Sequence, residues 1–311
     1  MIIKELINPK PKAIVIFIVF SLLFFLTPLL RNGFLDTFSI EHISPIILFI
    51  VSLLIVPAHA IGLNNLIYEN NIIKKENIII SFIFVLLNSF YLTSINNLIC
   101  SFFLLFVINF LFTTYQKENP FYEVFNACLI LGILTYVNPL MIFYLGLIIY
   151  TAIIFNYISW RILFVGFLAY IIPFILHFLF CIISDNVFTF PEIESTINLI
   201  TIKSIEKFHT HEILFLASLG VTSLLSLYEF IAWVYKKSIR SRKSFFVLTF
   251  YMLISGLIYI YIDKQSWYLM LTPSCIFISN YFTYTKHKLI ANITFTVLLI
   301  SSCCYRYLII I

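Results

Sequence analysis

Few side chains in this sequence are suited to chemistry, and those few sit mostly at the ends of long apolar runs. Asp36 and Glu41 follow the first run within RNGFLDTFSIEHI, and Asp185 opens the longest polar stretch, residues 184–211. A carboxylate at a water–lipid boundary can take a proton from a hydroxyl or help hold a divalent cation. The alternative is a plain solvated loop charge. Inside the apolar runs stand His59 in PAHAIG, His177, Glu229 in LLSLYEFIAWVY, and Asn88, Asn109 and Asn138. Polar groups in lipid are costly, so each is either functional or tied to a neighbouring helix. His59 reads as bonded to a neighbour or at headgroup level, and His177 as packed or facing an outward cavity. Glu229 lies about two turns from a basic pair and reads as an inner-interface acid or a proton-coupling group. The cysteines Cys100, Cys128, Cys181, Cys275, Cys303 and Cys304 lie in apolar stretches with no CxxC pair, as small buried hydrophobes do. There is no P-loop, HExxH, GxSxG or GxGxxG, so ATP hydrolysis, zinc proteolysis and serine hydrolysis have no motif behind them.

The elements that must position these residues follow from composition. The 311 residues are 62% hydrophobic, 18% aromatic and only 11% charged, against about 25% charged in a soluble domain. A water-soluble enzyme of this size could not cover its surface with so few charges. Disorder is excluded by the same numbers. The apolar runs are continuous rather than alternating over ~10 residues, which excludes a β-barrel. The expectation is an all-α, polytopic transmembrane bundle, one integral domain over 1–311, solvated by lipid.

Eleven candidate spans emerge, at 13–30, 43–62, 77–93, 97–114, 124–137, 139–156, 162–183, 212–235, 245–262, 267–284 and 289–308. Lys4, Lys10 and Lys12 precede the first, and no small-x-small site follows it, so it reads as a retained signal anchor. The pair around Asn138–Pro139 is one long helix or a broken hairpin. With a cytoplasmic N-terminus and the hairpin broken, 14 of the 19 basic residues fall inside, including the KKSIRSRK cluster. A single span would move that cluster outside, against the positive-inside bias. Proline after Asn138 also pushes that residue out of the α region. Eight of the fourteen acids then lie outside, among them Asp36, Glu41, Asp185 and Asp263. Within 184–211, Ile193, Ile197 and Ile200 recur at helical spacing after Pro191, as an interfacial amphipathic helix or a loop helix packed on the bundle. The net charge of +5 resides in short loops between spans; it is topology information and gives no reason to expect nucleic acid.

Three stretches, LNNLIYENNIIKKENIII, FNACLILGILTYVNPLMIFYLGLIIYTAIIF and ISWRILFVGFLAYIIPF, together with the opening NPKPKAIVIFIVFSLLFF, resemble an uncharacterised family of Bacteroidota integral membrane proteins. That resemblance implies a bacterial inner-membrane location and no activity. More distantly, the chain is similar to GT-C glycosyltransferases, which use polyprenyl-phosphate sugars. The features that carry it are a first span followed by an acid-bearing outer loop, the short-helix pair LILGILTYVNPLMIFYLGLIIY and the span WRILFVGFLAYIIP. A late SWYLMLTP has Ser266–Trp267 where the family has an arginine. The resemblance implies that Asp36 deprotonates an acceptor hydroxyl, with Glu41 positioning it or a metal. It implies that His177 and Asp185 line the cavity, and that Arg31 or Lys264 meets the lipid phosphate with charge-assisted donors. No resident cofactor is implied beyond a divalent cation at the acids. The partners implied are membrane lipids and a polyprenyl-phosphate sugar. Two other readings stand beside this one. A non-catalytic scaffold or assembly subunit of an envelope complex fits the scarcity of polar groups in the spans. A lipid or small-molecule transporter would need a second broken helix, and the second half offers none.

Overall fold

In the computed structural model the described residues are 2–7, 11–26, 45–73, 75, 77–88, 95–184, 210–261 and 266–308. Among them the chain is all-helical, with no strand. The helices are α1 (Ile2–Ile7), α2 (Pro11–Leu26), α3 (Pro45–Glu69), α4 (Ile79–Leu87), α5 (Ile95–Thr113), α6 (Phe121–Val137), α7 (Leu145–Ile154), α8 (Trp160–Ile183), α9 (Thr210–Val234), α10 (Ile239–Tyr261), α11 (Trp267–Tyr284) and α12 (Lys288–Leu308). Six of them, α3, α5, α8, α9, α10 and α12, are long and apolar enough to cross a membrane. α2, α6 and the segment Pro139–Ile154 are apolar but shorter. This is the fold of an integral membrane protein.

The break expected at Asn138–Pro139 is present. α6 ends at Val137, Asn138 is extended (φ −143°, ψ 110°), and Pro139–Tyr144 forms a 3-10 turn leading into α7. The Asn138 carbonyl oxygen of the side chain accepts from the Leu140 N–H at 3.0 Å, which satisfies a donor that the turn would otherwise leave open. Elsewhere the helix ends differ from the sequence expectation. α3 runs to Glu69, seven residues past the expected end at 62, because NNLIYE continues the helix through polar residues. α10 begins at Ile239, inside the KKSIRSRK cluster, so its cations ride on the first helical turns. There Ser241 Oγ donates to the Ile72 carbonyl at 2.6 Å, and Arg240 Nη2 to Asn70 Oδ1 at 3.3 Å. These bonds hold the cationic start of α10 against the end of α3.

α11 is the central helix. Fifteen of its eighteen residues are buried, as a helix enclosed on all sides requires, and α4, α5, α9 and α10 pack around it. α6 joins α5 to α8, which lies at the periphery. The α6–α8 contact depends on two glycines. A Cβ on Gly132 would stand 2.5 Å from the Tyr170 backbone oxygen, and one on Gly166 would meet Cys128 Sγ at 3.0 Å. Close backbone approach through small residues is the usual means of helix association in lipid.

One end of the bundle collects positive charge. Lys237 lies 3.7 Å and Lys75 5.4 Å from the Tyr284 ring centroid, Arg240 stands 5.5 Å from that of Tyr115, and Lys117 pairs with Glu123. The Ile78 N–H donates to the Leu6 carbonyl at 2.9 Å, which brings α1 to this same end. α3 and α7 also end here, each in a left-handed residue, Asn71 (φ 55°) and Asn156 (φ 60°). The bonds Ile72 N to Ile67 O and Tyr157 N to Ala152 O close those helices in the Schellman pattern. In the turn after α7, burial pushes the Tyr157 hydroxyl up to about 12. At the other end Arg306 is buried, with Nε donating to the Phe24 carbonyl at 3.2 Å.

Candidate functional site opposite the cationic end and in the bundle interior

Of the six residues singled out as a site, only His177 lies among the described residues; Arg31, Asp36, Glu41, Asp185 and Lys264 lie outside them. The amphipathic segment expected in 184–211 also falls almost wholly outside. His177 occupies the last two turns of α8, half-buried, on the side that meets α6. Its ring lies 4.7 Å from that of Tyr136, centroid to centroid, and its Nε2 is 3.4 Å from Cys181 Sγ, one turn on along the same helix. Tyr136 also packs on Phe174. An imidazole, a phenol and a thiol thus meet at the end of the bundle opposite the cationic one. They supply hydrogen bonds and an aromatic face for a polar group arriving at the lipid boundary.

Two residues from Tyr136, Asn138 Nδ2 donates to Asn97 Oδ1 of α5 at 2.6 Å. The sequence marked Asn138 as an interhelical hydrogen bonder and left its partner unspecified. Below this amide pair, α5 and α6 border an apolar groove of about 280 Å³, lined by Ile99, Phe103, Phe106, Ile130, Ile133 and Val137. The groove opens sideways, as the exposure of Phe103, Phe106 and Ile133 shows. Its lining is wholly apolar, suited to hydrocarbon, and it ends at Val137, next in the chain to Asn138.

A second set of polar groups lies inside the bundle. His59 is fully buried in the middle of α3, stacked on Phe84 at 4.3 Å, and its Nε2 is 3.2 Å from the Thr272 hydroxyl. Thr272 is 3.2 Å from Ser101 Oγ, which also donates to the Tyr268 carbonyl at 3.1 Å. Nearby, the Tyr144 and Ser255 hydroxyls are 2.8 Å apart, with the Tyr144 and Tyr251 rings at 5.5 Å. His59 therefore belongs to the bonded-neighbour reading, and it sits at mid-helix rather than near an inner end, because α3 is longer than expected. Asn109 accepts from Asn70 at 3.3 Å, also as an interhelical bonder. Glu229 is half-buried on α9, within electrostatic reach of the Tyr281 hydroxyl of α11.

Among the described residues no three His, Cys, Asp or Glu side chains stand together as a metal site; the acids suited to a divalent cation are outside that set. Sequence reasoning missed Tyr136 and Cys181 as companions of His177. The four-residue step from His177 to Cys181 was visible; the approach of Tyr136 depends on how α6 meets α8. Compared with protein-family models, curated proteins and solved structures, the chain matches none.

Proposed function

We propose that this is a bacterial inner-membrane protein with eleven crossings and a cytoplasmic N-terminus, and that it acts at the outer face as a GT-C-like glycosyltransferase using a polyprenyl-phosphate-linked sugar. The observation that supports this best is the apolar groove between α5 and α6, which ends at Val137 beside the hydrogen-bonded Asn138. A polyprenyl tail needs a hydrocarbon-lined path leading up to a polar head. Under this threading the head of the groove lies on the same side as Asp36, Glu41 and Asp185. Asp36 is then the general base toward the acceptor hydroxyl, and Glu41 orients it or a divalent cation. Arg31 or Lys264 meets the phosphate, and His177 and Asp185 line the approach. The test is sugar transfer by proteoliposomes supplied with radiolabelled undecaprenyl-phosphate hexoses. Asp36→Asn should lower transfer about 10²-fold or more, as removal of a general base does. Full transfer by that variant would remove this reading.

A second reading, a membrane scaffold or assembly subunit of an envelope complex, is favoured by α8. Only 17% of its hydrophobic stretch is buried, and Phe164, Phe167 and Phe180 are exposed along it. Such a face meets lipid or the helices of another protein. Stoichiometric co-purification of an envelope protein, lost on Phe167→Ala with Phe180→Ala, together with no sugar transfer, would select this reading over the first.

A further inference from the structure

A different groove, between α3 and α5 at the cationic end, has a graded lining. Its deep part is apolar, formed by Ala58, Ile61, Phe102 and Phe106, and its mouth carries Asn65, Glu69 and Asn109; the volume is about 360 Å³. From Ala58 to Glu69 the helix rises about 16 Å at ~1.5 Å per residue. That equals one leaflet's share of a hydrocarbon core about 30 Å thick. The groove therefore runs from mid-membrane to one interface, as the acyl chain of a single lipid does. Asn65 and Glu69 are exposed at the mouth, as are Ile61 and Phe106 along the flank.

The mouth also selects a head group. Glu69 is the last residue of α3, whose last turn has no basic residue. The carboxylate therefore sits at the negative end of the helix dipole, where a cation is favoured. Among the described residues the one ion pair is Lys117–Glu123, so none reaches Glu69. Three of the described cations at this end face other groups: Lys75 and Lys237 lie over Tyr284, and Arg240 bonds Asn70 and lies over Tyr115. Asn109 Oδ1 already accepts from Asn70 Nδ2, which steadies the opposite wall. An acid and an amide at the lip of a hydrocarbon slot complement an ammonium head on an acyl tail.

We propose that the α3–α5 groove is a binding site for an aminophospholipid, phosphatidylethanolamine, with its ammonium on Glu69 and one acyl chain along Ala58–Phe106. The site lies on the α3 side of α5, shares only Phe106 with the α5–α6 groove, and does not depend on sugar transfer.

The test uses the full-length protein in nanodiscs of equimolar phosphatidylethanolamine and phosphatidylglycerol, released into mild detergent and weighed intact by native mass spectrometry. The wild type should retain phosphatidylethanolamine over phosphatidylglycerol by about two- to fivefold, the size of an exposed charge pair. Glu69→Gln should equalise the two lipids, and Glu69→Lys should invert the preference. Gly62→Leu should lower retention of both, because Gly62 lines the groove and a Cβ there already reaches Leu105 at 3.5 Å. Equal retention by the wild type would overturn the proposal. So would a phosphatidylethanolamine preference that survives Glu69→Gln, or a second protein chain in place of lipid. Both Glu69 substitutions fall at an exposed helix end, so the outcome does not hinge on the folding of Gly62→Leu.

Discussion

Thr272 joins three helices through one hydroxyl, between His59 of α3 and Ser101 of α5. Valine has the same shape and no hydrogen-bonding capacity. Thr272→Val leaves a fully buried imidazole and a serine hydroxyl short of a partner, which should destabilise the protein by about 1–3 kcal/mol. A thermal melt in detergent checks this, with Ser274→Ala as the control, since that hydroxyl bonds only back to Met270 on its own helix. A Thr272→Val melting point equal to that of the control would show that the interior chain carries no stability. At this scale the sequence announced which polar residues lie in lipid and that they must find partners. It could not name the partners, because His59 and Thr272 are separated by more than two hundred residues, and hydropathy is blind to which faces of two helices meet. The His177 site was half legible for the same reason: Cys181 follows from helical spacing, whereas Tyr136 belongs to another helix.

At the scale of elements, the α6–α8 pair and the Asn138 hairpin give opposite tests. The backbone oxygen of Tyr170 leaves no room for a side chain at Gly132, whereas Gly166 faces the movable Cys128 and Val124 side chains. Gly132→Leu should therefore push α8 away from α6, and Gly166→Ala should be much milder. Disulfide trapping of the native Cys128 with Gly166→Cys, whose Cβ would stand 3.0 Å from that sulfur, reads the separation. Efficient trapping in a Gly132→Leu background would contradict the packing. Asn138→Leu removes both the cap on Leu140 and the bond to Asn97. It should cost about 1–2 kcal/mol, in line with loss of a helix cap, measured by the same melt. The hairpin was legible because asparagine and proline act on their own backbone. The length of α3 was not, because polar residues such as Asn64 and Asn65 end a hydropathy run without ending a helix.

Across the whole molecule, the cationic end gathers α1, Lys75, Lys237 and Arg240, as charge asymmetry in the sequence anticipates for one side of a membrane. Membrane class followed from composition alone. The lateral order of helices did not: α11, less hydropathic than its neighbours, proved to be the enclosed centre. Polar Thr272, Ser279 and Asn280 lower its hydropathy, yet all three are fully buried. The proposed outer-face chemistry depends on threading that sets Asp36 across the membrane from the KKSIRSRK cluster. Paired fusions of alkaline phosphatase and a fluorescent protein after Thr37 and after Ser238 test it directly. An active phosphatase at Thr37 and fluorescence at Ser238 are expected; both fusions reporting the same side would contradict this threading.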